Sequence, residues 1–386
     1  MRKLSPLVIL FVMLLLMFSF ENLTYADDFQ DCLDGEMLIN GICGDGTVDS
    51  LEAGWNMIEP RGETTCAHDT DYAYWVHPGT SGNLMIYFEG GGGCWSADTC
   101  RQGTTGYYDS DVTFRDSPER SNGVLDMANP LNPFADYTTV FIPVCTGDVH
   151  WGDAVTTFED DEEGDVTINF KGFVNATSAL TWAYANVTDP ESIFMTGCSA
   201  GSPGSLLHAP YVIDHYPDVP VYQFGDSLSL LFNRAVNLQE DWHAHDNFPD
   251  WIPELADMQP EEWTMARHYI ATANYYSQHR FGQYNTVRDS VQVFYSFPNG
   301  DGTATDWTAL LNAHLSEIET NTENYYSFTA GGDLHCITPR QSFYTYANDG
   351  VPLVDWLRDF ATGNIVTSLY CQDCDDPETI STTITD

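Results

Sequence analysis

The pentapeptide Gly197-Cys198-Ser199-Ala200-Gly201 constrains this chain more than any other feature. It matches G-x-S-x-G, and its surroundings matter more than the pattern. The apolar run Ser192 to Thr196 reads as a strand ahead of it. Pro203 stands where a proline suits the first turn of a helix, and Leu206 to Tyr216 reads as that helix, stopped by Pro217. A serine on a tight strand-to-helix turn is a nucleophile elbow, and the flanking glycines are needed because side chains there would clash. A glycine-rich turn with a structural serine is the alternative; the strand–turn–helix setting favours the nucleophile.

That setting implies an α/β fold, and other segments agree. Leu84 to Phe88 and Thr139 to Val144 are continuous apolar runs between loops, the pattern of strands buried on both faces of a parallel sheet. Thr156 to Asn169 reads as a hairpin around the acidic turn Asp160 to Gly164, and Phe173 to Ala185 has helical spacing. The 386 residues suffice for one large α/β domain or two small ones, and no internal repeat is visible.

Residues 1–26 read as a secretory signal peptide: Arg2 and Lys3, an apolar run from Pro6 to Phe20, then Tyr25-Ala26 at the cut. The mature chain is then expected to be secreted and, with no later segment long enough to span a bilayer, off the membrane. Residues 27–60 form an acidic Cys/Gly-rich segment, 61–370 the catalytic domain, and 371–386 a polar tail expected to lack fixed structure. Within the first segment, Asp45, Asp49 and Glu52 could hold Ca²⁺, but the full EF-hand spacing is absent, and a solvated acidic loop is the favoured reading. Ten cysteines in an exported chain imply disulfides. Short spacings favour Cys32 with Cys43, Cys94 with Cys100, and Cys371 with Cys374. A redox C-x-x-C is the alternative for the last pair, disfavoured by its place in an acidic tail.

Lys+Arg is 13 against 57 Asp+Glu, a formal net charge of −44. Such a surface repels itself and is relieved by salt, which suggests a salt-rich habitat. Nucleic acid is excluded as a partner by the want of a basic stripe. A polyanionic substrate would also be repelled unless the cleft is locally less acidic.

Serine attacks only with a base to take its proton and donors to hold the oxyanion. Glu89-Gly90-Gly91-Gly92-Gly93 follows a strand where this fold places a glycine-rich oxyanion loop, so the N–H groups of Gly91 or Gly92, with that of Ala200, are the expected donors. No Gly-Lys-Ser/Thr follows, so a phosphate loop is disfavoured. Among eleven histidines, His335 is last, in a loop after the apolar stretch Tyr325 to Phe328, as the order Ser, acid, His requires. His243-x-His245 lacks a third metal ligand at useful spacing; no metal or cofactor is expected. Four aspartates could be the acid. Asp226 could end a strand but follows the nucleophile's helix directly, and Asp301 and Asp306 sit in a Gly/Thr-rich loop. Asp289 lies beyond the strand-like Phe281 to Tyr284 and opens a helix read as Ser290 to Phe297.

The spaced motifs Phe88 to Trp95, Val140 to Cys145, Gly197 to Gly201 and Leu334-His335-Cys336 resemble the pectin acetylesterase family, which includes plant pectin acetylesterases and Notum-like carboxylesterases. The resemblance covers about residues 61–345. It implies an α/β-hydrolase-like fold, a mostly parallel central sheet flanked by helices, and a cofactor-free Ser199, Asp289, His335 triad. Gly91 and Gly92 fall in the oxyanion loop, where Notum has bulkier side chains. Asp289-Ser290-Val291-Gln292 matches the family's Asp-x-x-Gln. The resemblance further implies a Cys66–Cys145 disulfide and gives Gly147 to Trp151 a place lining the cleft or supporting it; it leaves open the state of Cys198 and Cys336, which flank the catalytic residues. The expected activity is hydrolysis of an O-acyl ester, foremost O-acetyl on a carbohydrate, by a monomer acting on an acylated small molecule or polysaccharide. Removal of a longer acyl chain from lipid or protein, and a catalytically silent binding module, are the alternatives.

Overall fold

A computed structural model describes residues 32, 36–60, 62–103, 107–227, 229, 239–297, 300–371 and 376–380. The expected signal peptide and Cys374 lie outside them. Ten strands form one sheet: β1 (Met37–Ile39), β2 (Ile42–Gly44), β3 (Asn56–Glu59), β4 (Tyr74–His77), β5 (Asn83–Phe88), β6 (Thr138–Ile142), β9 (Ser192–Cys198), β10 (Val221–Asp226), β11 (Arg280–Thr286) and β12 (Tyr325–Ala330). Their order is β12-β11-β10-β9-β5-β6-β4-β3-β1-β2. From β12 to β6 all neighbours are parallel; from β6 outward to β2 they are antiparallel. β7 (Ala154–Phe158) and β8 (Val166–Phe170) form the expected hairpin. The longer helices are α1 (Gly172–Asn186), α2 (Gly201–His215), α3 (Met265–Tyr275), α4 (Ser290–Ser296), α5 (Ala304–Asn321) and α6 (Leu353–Ala361).

The sheet separates two cores, and the strand pleat sorts residues between them. On β5, Leu84, Ile86 and Phe88 pack on one face, with the side chains of α1 and α2. Met85 and Tyr87 pack on the other, with Phe194, Phe224, Trp356 and Phe360. Burial on both faces is why these strands read as unbroken apolar runs.

The N-terminal segment and the tail carry more structure than their pattern shows. Residues 37–59 supply three antiparallel strands to the sheet edge, with Asp45, Asp49 and Glu52 exposed between β2 and β3. Strands of three and four residues, broken by Asn40-Gly41, give too little periodic pattern to be read. There Asp45 turns its carboxylate onto Thr47, and no cluster of three metal-ligating side chains forms among the described residues. The tail is not wholly without structure either: β15 (Glu378–Thr379) pairs with β13 (Tyr346–Asn348), whose other neighbour is β14 (Val351–Pro352).

Candidate active site

Ser199 sits between β9 and α2 with φ +51°, a left-handed conformation that is costly for a side chain bearing Cβ. The turn is so tight that a Cβ on Gly201 would lie 2.0 Å from the carbonyl oxygen of Phe88, which excludes any larger residue there. The helix begins at Gly201, one turn earlier than the sequence suggested, with Pro203 in its first turn.

His335 lies in the loop after β12. Its Nδ1 is 2.8 Å from Oδ2 of Asp289. That carboxylate is fully buried at the N-cap of α4 and is held from several sides. Oδ1 accepts from the backbone N–H groups of Val291 and Gln292, and Oδ2 from Gln292 Nε2 at 2.9 Å. The Asp-x-x-Gln spacing thus has a physical meaning: one helical turn brings the glutamine amide back onto the carboxylate. With a carboxylate at Nδ1, that nitrogen carries the proton, and Nε2, which has no hydrogen-bond partner, is left as the acceptor. Ser199 and His335 line the same pocket, of about 950 Å³, with Asp289 behind the histidine. Asp301 is exposed; Asp306 closes a capping box with Thr303 at the start of α5.

Gly91 and Gly92 line this pocket. Gly92 bridges antiparallel to Tyr108: Gly93 N–H donates to Tyr107, and Asp109 N–H donates to Gly91. In such a bridge the amide of Gly92 itself points away from the Tyr107–Asp109 segment. Gly92 has φ +82°, and a Cβ would stand 1.9 Å from the Tyr107 carbonyl oxygen. Ala200 is buried and does not line the pocket; its amide lies at the start of α2, where helix N–H groups lack intrahelical acceptors. The segment Gly147 to Trp151 supports the site from behind instead of lining it. His150 Nε2 is 2.9 Å from the Glu89 carbonyl, and Trp151 Nε1 donates to Pro203 of α2. Burial pushes the His150 imidazole down to about 4, so it stays neutral and donates to that carbonyl.

Cys198 and Cys336, whose state the sequence leaves open, are joined to each other, beside Cys32–Cys43, Cys66–Cys145 and Cys94–Cys100. Their separation of 138 residues gave no local signal.

The sequence reading also missed the pocket's charge. Arg115, Arg120 and Arg340, three of the chain's 13 basic residues, line it. Among the described residues none of the three pairs with a carboxylate, whereas Arg101, Lys171, Arg267 and Arg358 do. The carboxyls on the same lining are Glu89 and Asp116. Desolvation, with Asp116 and Asp109 close by, holds the Glu89 carboxyl well above the usual carboxylate range. Three cations against two carboxyls, one of them biased to its neutral form, make the pocket locally positive in a strongly acidic protein.

The parallel sheet, the elbow at its centre and the base loop at the strands' carboxyl ends define an α/β-hydrolase-like fold. The chain belongs to the pectin acetylesterase family: the profile of the family described as Pectinacetylesterase matches residues 52–274, more than half of it. It is 27% identical to pectin acetylesterase 5 of Arabidopsis thaliana over 192 residues, 43% of this chain and 42% of that one. It is 27% identical to pectin acetylesterase 4 of the same plant over 155 residues, 37% and 35% of the two chains. A palmitoleoyl-protein carboxylesterase Notum of Schmidtea mediterranea is 33% identical over 84 residues, 20% of this chain and 16% of that one. The chain thus matches less than half the length of these relatives. The fold is shared with the Wnt deacylase Notum from Drosophila, at TM-score 0.60 and 14% identity, covering 81% of this chain and 95% of that one.

Proposed function

We propose that the protein is a secreted serine esterase that removes O-acetyl groups from carbohydrate. The observation that carries this reading is the Asp289–His335 pair, 2.8 Å apart, with the free Nε2 in the pocket that Ser199 enters from its elbow. Ser199 Oγ adds to the ester carbonyl carbon while its proton passes to His335 Nε2. The amides of Gly91 or Gly92 and Ala200 hold the oxyanion. Collapse expels the sugar oxygen, which takes the proton back from His335. Water then adds to the acetyl-serine with His335 as base, releasing acetate and restoring Ser199. Asp289 fixes the tautomer and stabilises the imidazolium throughout.

The pocket lining favours a polar substrate over a fatty acyl chain. Beside an apolar and aromatic part that includes Tyr87, Tyr107, Leu125, Phe141, Tyr295 and Leu334, it presents Arg115, Asp116, Arg120, Asn122, Arg340 and Gln341. The unpaired arginines suit a sugar polymer bearing carboxylates, and they lift the objection that the net charge raises against such a substrate. Two measurements test this. Among nitrophenyl esters, turnover should be greatest for acetate and fall with chain length; a maximum at long chains would support the deacylase alternative. Arg340→Gln should raise KM for an acetylated polyuronate roughly tenfold, about 1.4 kcal/mol, and leave KM for an acetylated neutral glycan unchanged. Equal effects on both polymers would refute carboxylate recognition.

A further inference from the structure

The base reaches the nucleophile across the sheet. β9, which carries Ser199, and β12, after which His335 follows, are separated by β10 and β11, so the base loop spans about 14 Å at roughly 4.8 Å per strand. The loop has no regular structure, and two devices tie it to the elbow. The first is covalent: Cys198 precedes Ser199, Cys336 follows His335, and the two are bonded on the pocket wall. The second is Asp226, the last residue of β10 and fully buried. Its backbone carbonyl accepts from Ser199 N–H at 2.8 Å. Its Oδ2 accepts from the N–H groups of Ile337 and Thr338 and from Thr338 Oγ1, at 2.8, 2.7 and 2.7 Å. Its Oδ1 accepts from Ser227 Oγ, which in turn accepts from Cys336 N–H. One residue therefore grips the nucleophile with its main chain and the base loop with its side chain.

Backbone conformation marks the same spot. Ser199, Ser227 and Cys336 all have left-handed φ, +51°, +60° and +61°. Three such residues on three segments, joined by one disulfide and one hydrogen-bond chain, are strain that persists only when the surroundings hold it.

We propose that Asp226 and the Cys198–Cys336 disulfide are positioning groups that together set the spacing between Ser199 and His335 and take no part in the bonds made and broken. This rests on the esterase reading above. A displacement near 1 Å at a reacting pair can cost on the order of a hundredfold in rate, and binding of the ester does not depend on it.

The test uses the mature protein and p-nitrophenyl acetate, with kcat expressed per site titrated by a fluorophosphonate. Cys198→Ala/Cys336→Ala should lower kcat roughly 10- to 100-fold with KM within about twofold. Cys32→Ala/Cys43→Ala, in the edge hairpin, should lower Tm without changing kcat. Thr338→Val, which removes one donor from Asp226, should lower kcat a few-fold on its own. Combined with loss of the disulfide it should be non-additive, because both act on one spacing. Wild-type kcat per titrated site in the cysteine double variant, or in Thr338→Val should the former not fold, would overturn the proposal. Failure of the fluorophosphonate to label Ser199 in the unaltered protein would instead remove the esterase reading.

Discussion

Ser199 and His335 enter the pocket by different routes. The nucleophile takes its conformation chiefly from its own neighbours, a buried strand, two glycines and a helix within Ser192 to His215, with the Asp226 carbonyl on its N–H as the added tie. The base is placed by residues remote in sequence. Asp289 holds its ring, Thr286 Oγ1 holds the Leu334 carbonyl, Asp226 holds Ile337 and Thr338, and Val124 N–H reaches the Thr338 carbonyl. The elbow is therefore a local structure that strand and helix packing maintain, whereas the base loop is a tertiary structure that each of several contacts can release. Changes on the elbow should abolish chemistry in a folded protein; changes around the base should grade it.

The largest effect tests the elbow. Ser199→Ala removes only a hydroxyl on an unchanged backbone, so the fold should persist. Turnover should fall by roughly three to six orders of magnitude, as removal of the nucleophile does in serine hydrolases. Near-normal turnover by the pure variant would end the assignment and with it the contrast.

The next tests the base side. Asp289→Asn should lower kcat by roughly 10²- to 10⁴-fold, since an amide can favour the wrong tautomer of His335. Asp301→Asn, on an exposed loop, should do nothing. Asp306→Asn should cost only about 1 kcal/mol of stability through its capping box and leave kcat alone. A crippled Asp301→Asn variant beside an active Asp289→Asn would show that the buried pair is structural.

What the sequence disclosed follows the same division. The elbow, the glycine loop and the strands β5, β6 and β9 were legible because short-range pattern makes them. Chain order points to His335, and a position ahead of a helix, together with the resemblance, points to Asp289. Asp226 reads as a strand end and is passed over as the acid because its strand directly follows the nucleophile's helix; its partners in the base loop lie more than a hundred residues on and leave no local signal. The Cys198–Cys336 bond and the three arginines were invisible for the same reason: Arg115 and Arg120 come from the loop before β6 and Arg340 from beyond the base, and only folding gathers them.

The smallest effect concerns the scaffold beneath the base. His314 on α5 is buried, with Nε2 3.0 Å from Gln283 Oε1 on β11, next to the strand that delivers His335. Burial pushes its imidazole down to about 3. The unfolded chain binds a proton there near 6.5, and the folded chain does not until about 3. Between these values the unfolded state holds more protons, so stability falls as pH falls. The contribution is complete above about 6.5 and lost progressively toward 3. His314→Gln removes this linkage while keeping an amide to face Gln283. At pH 7 the variant should be the less stable, having lost a fitted ring. At pH 4.5 the gap should narrow by about 2–3 kcal/mol, at roughly 1.4 kcal/mol per pH unit below 6.5, measured by urea unfolding of both proteins. The acidic surface is common to both, so its own titration cancels in the difference. A gap that stays constant with pH would mean that His314 takes up its proton as readily in the folded chain as in the unfolded one, and the base side would then lack this acid sensitivity.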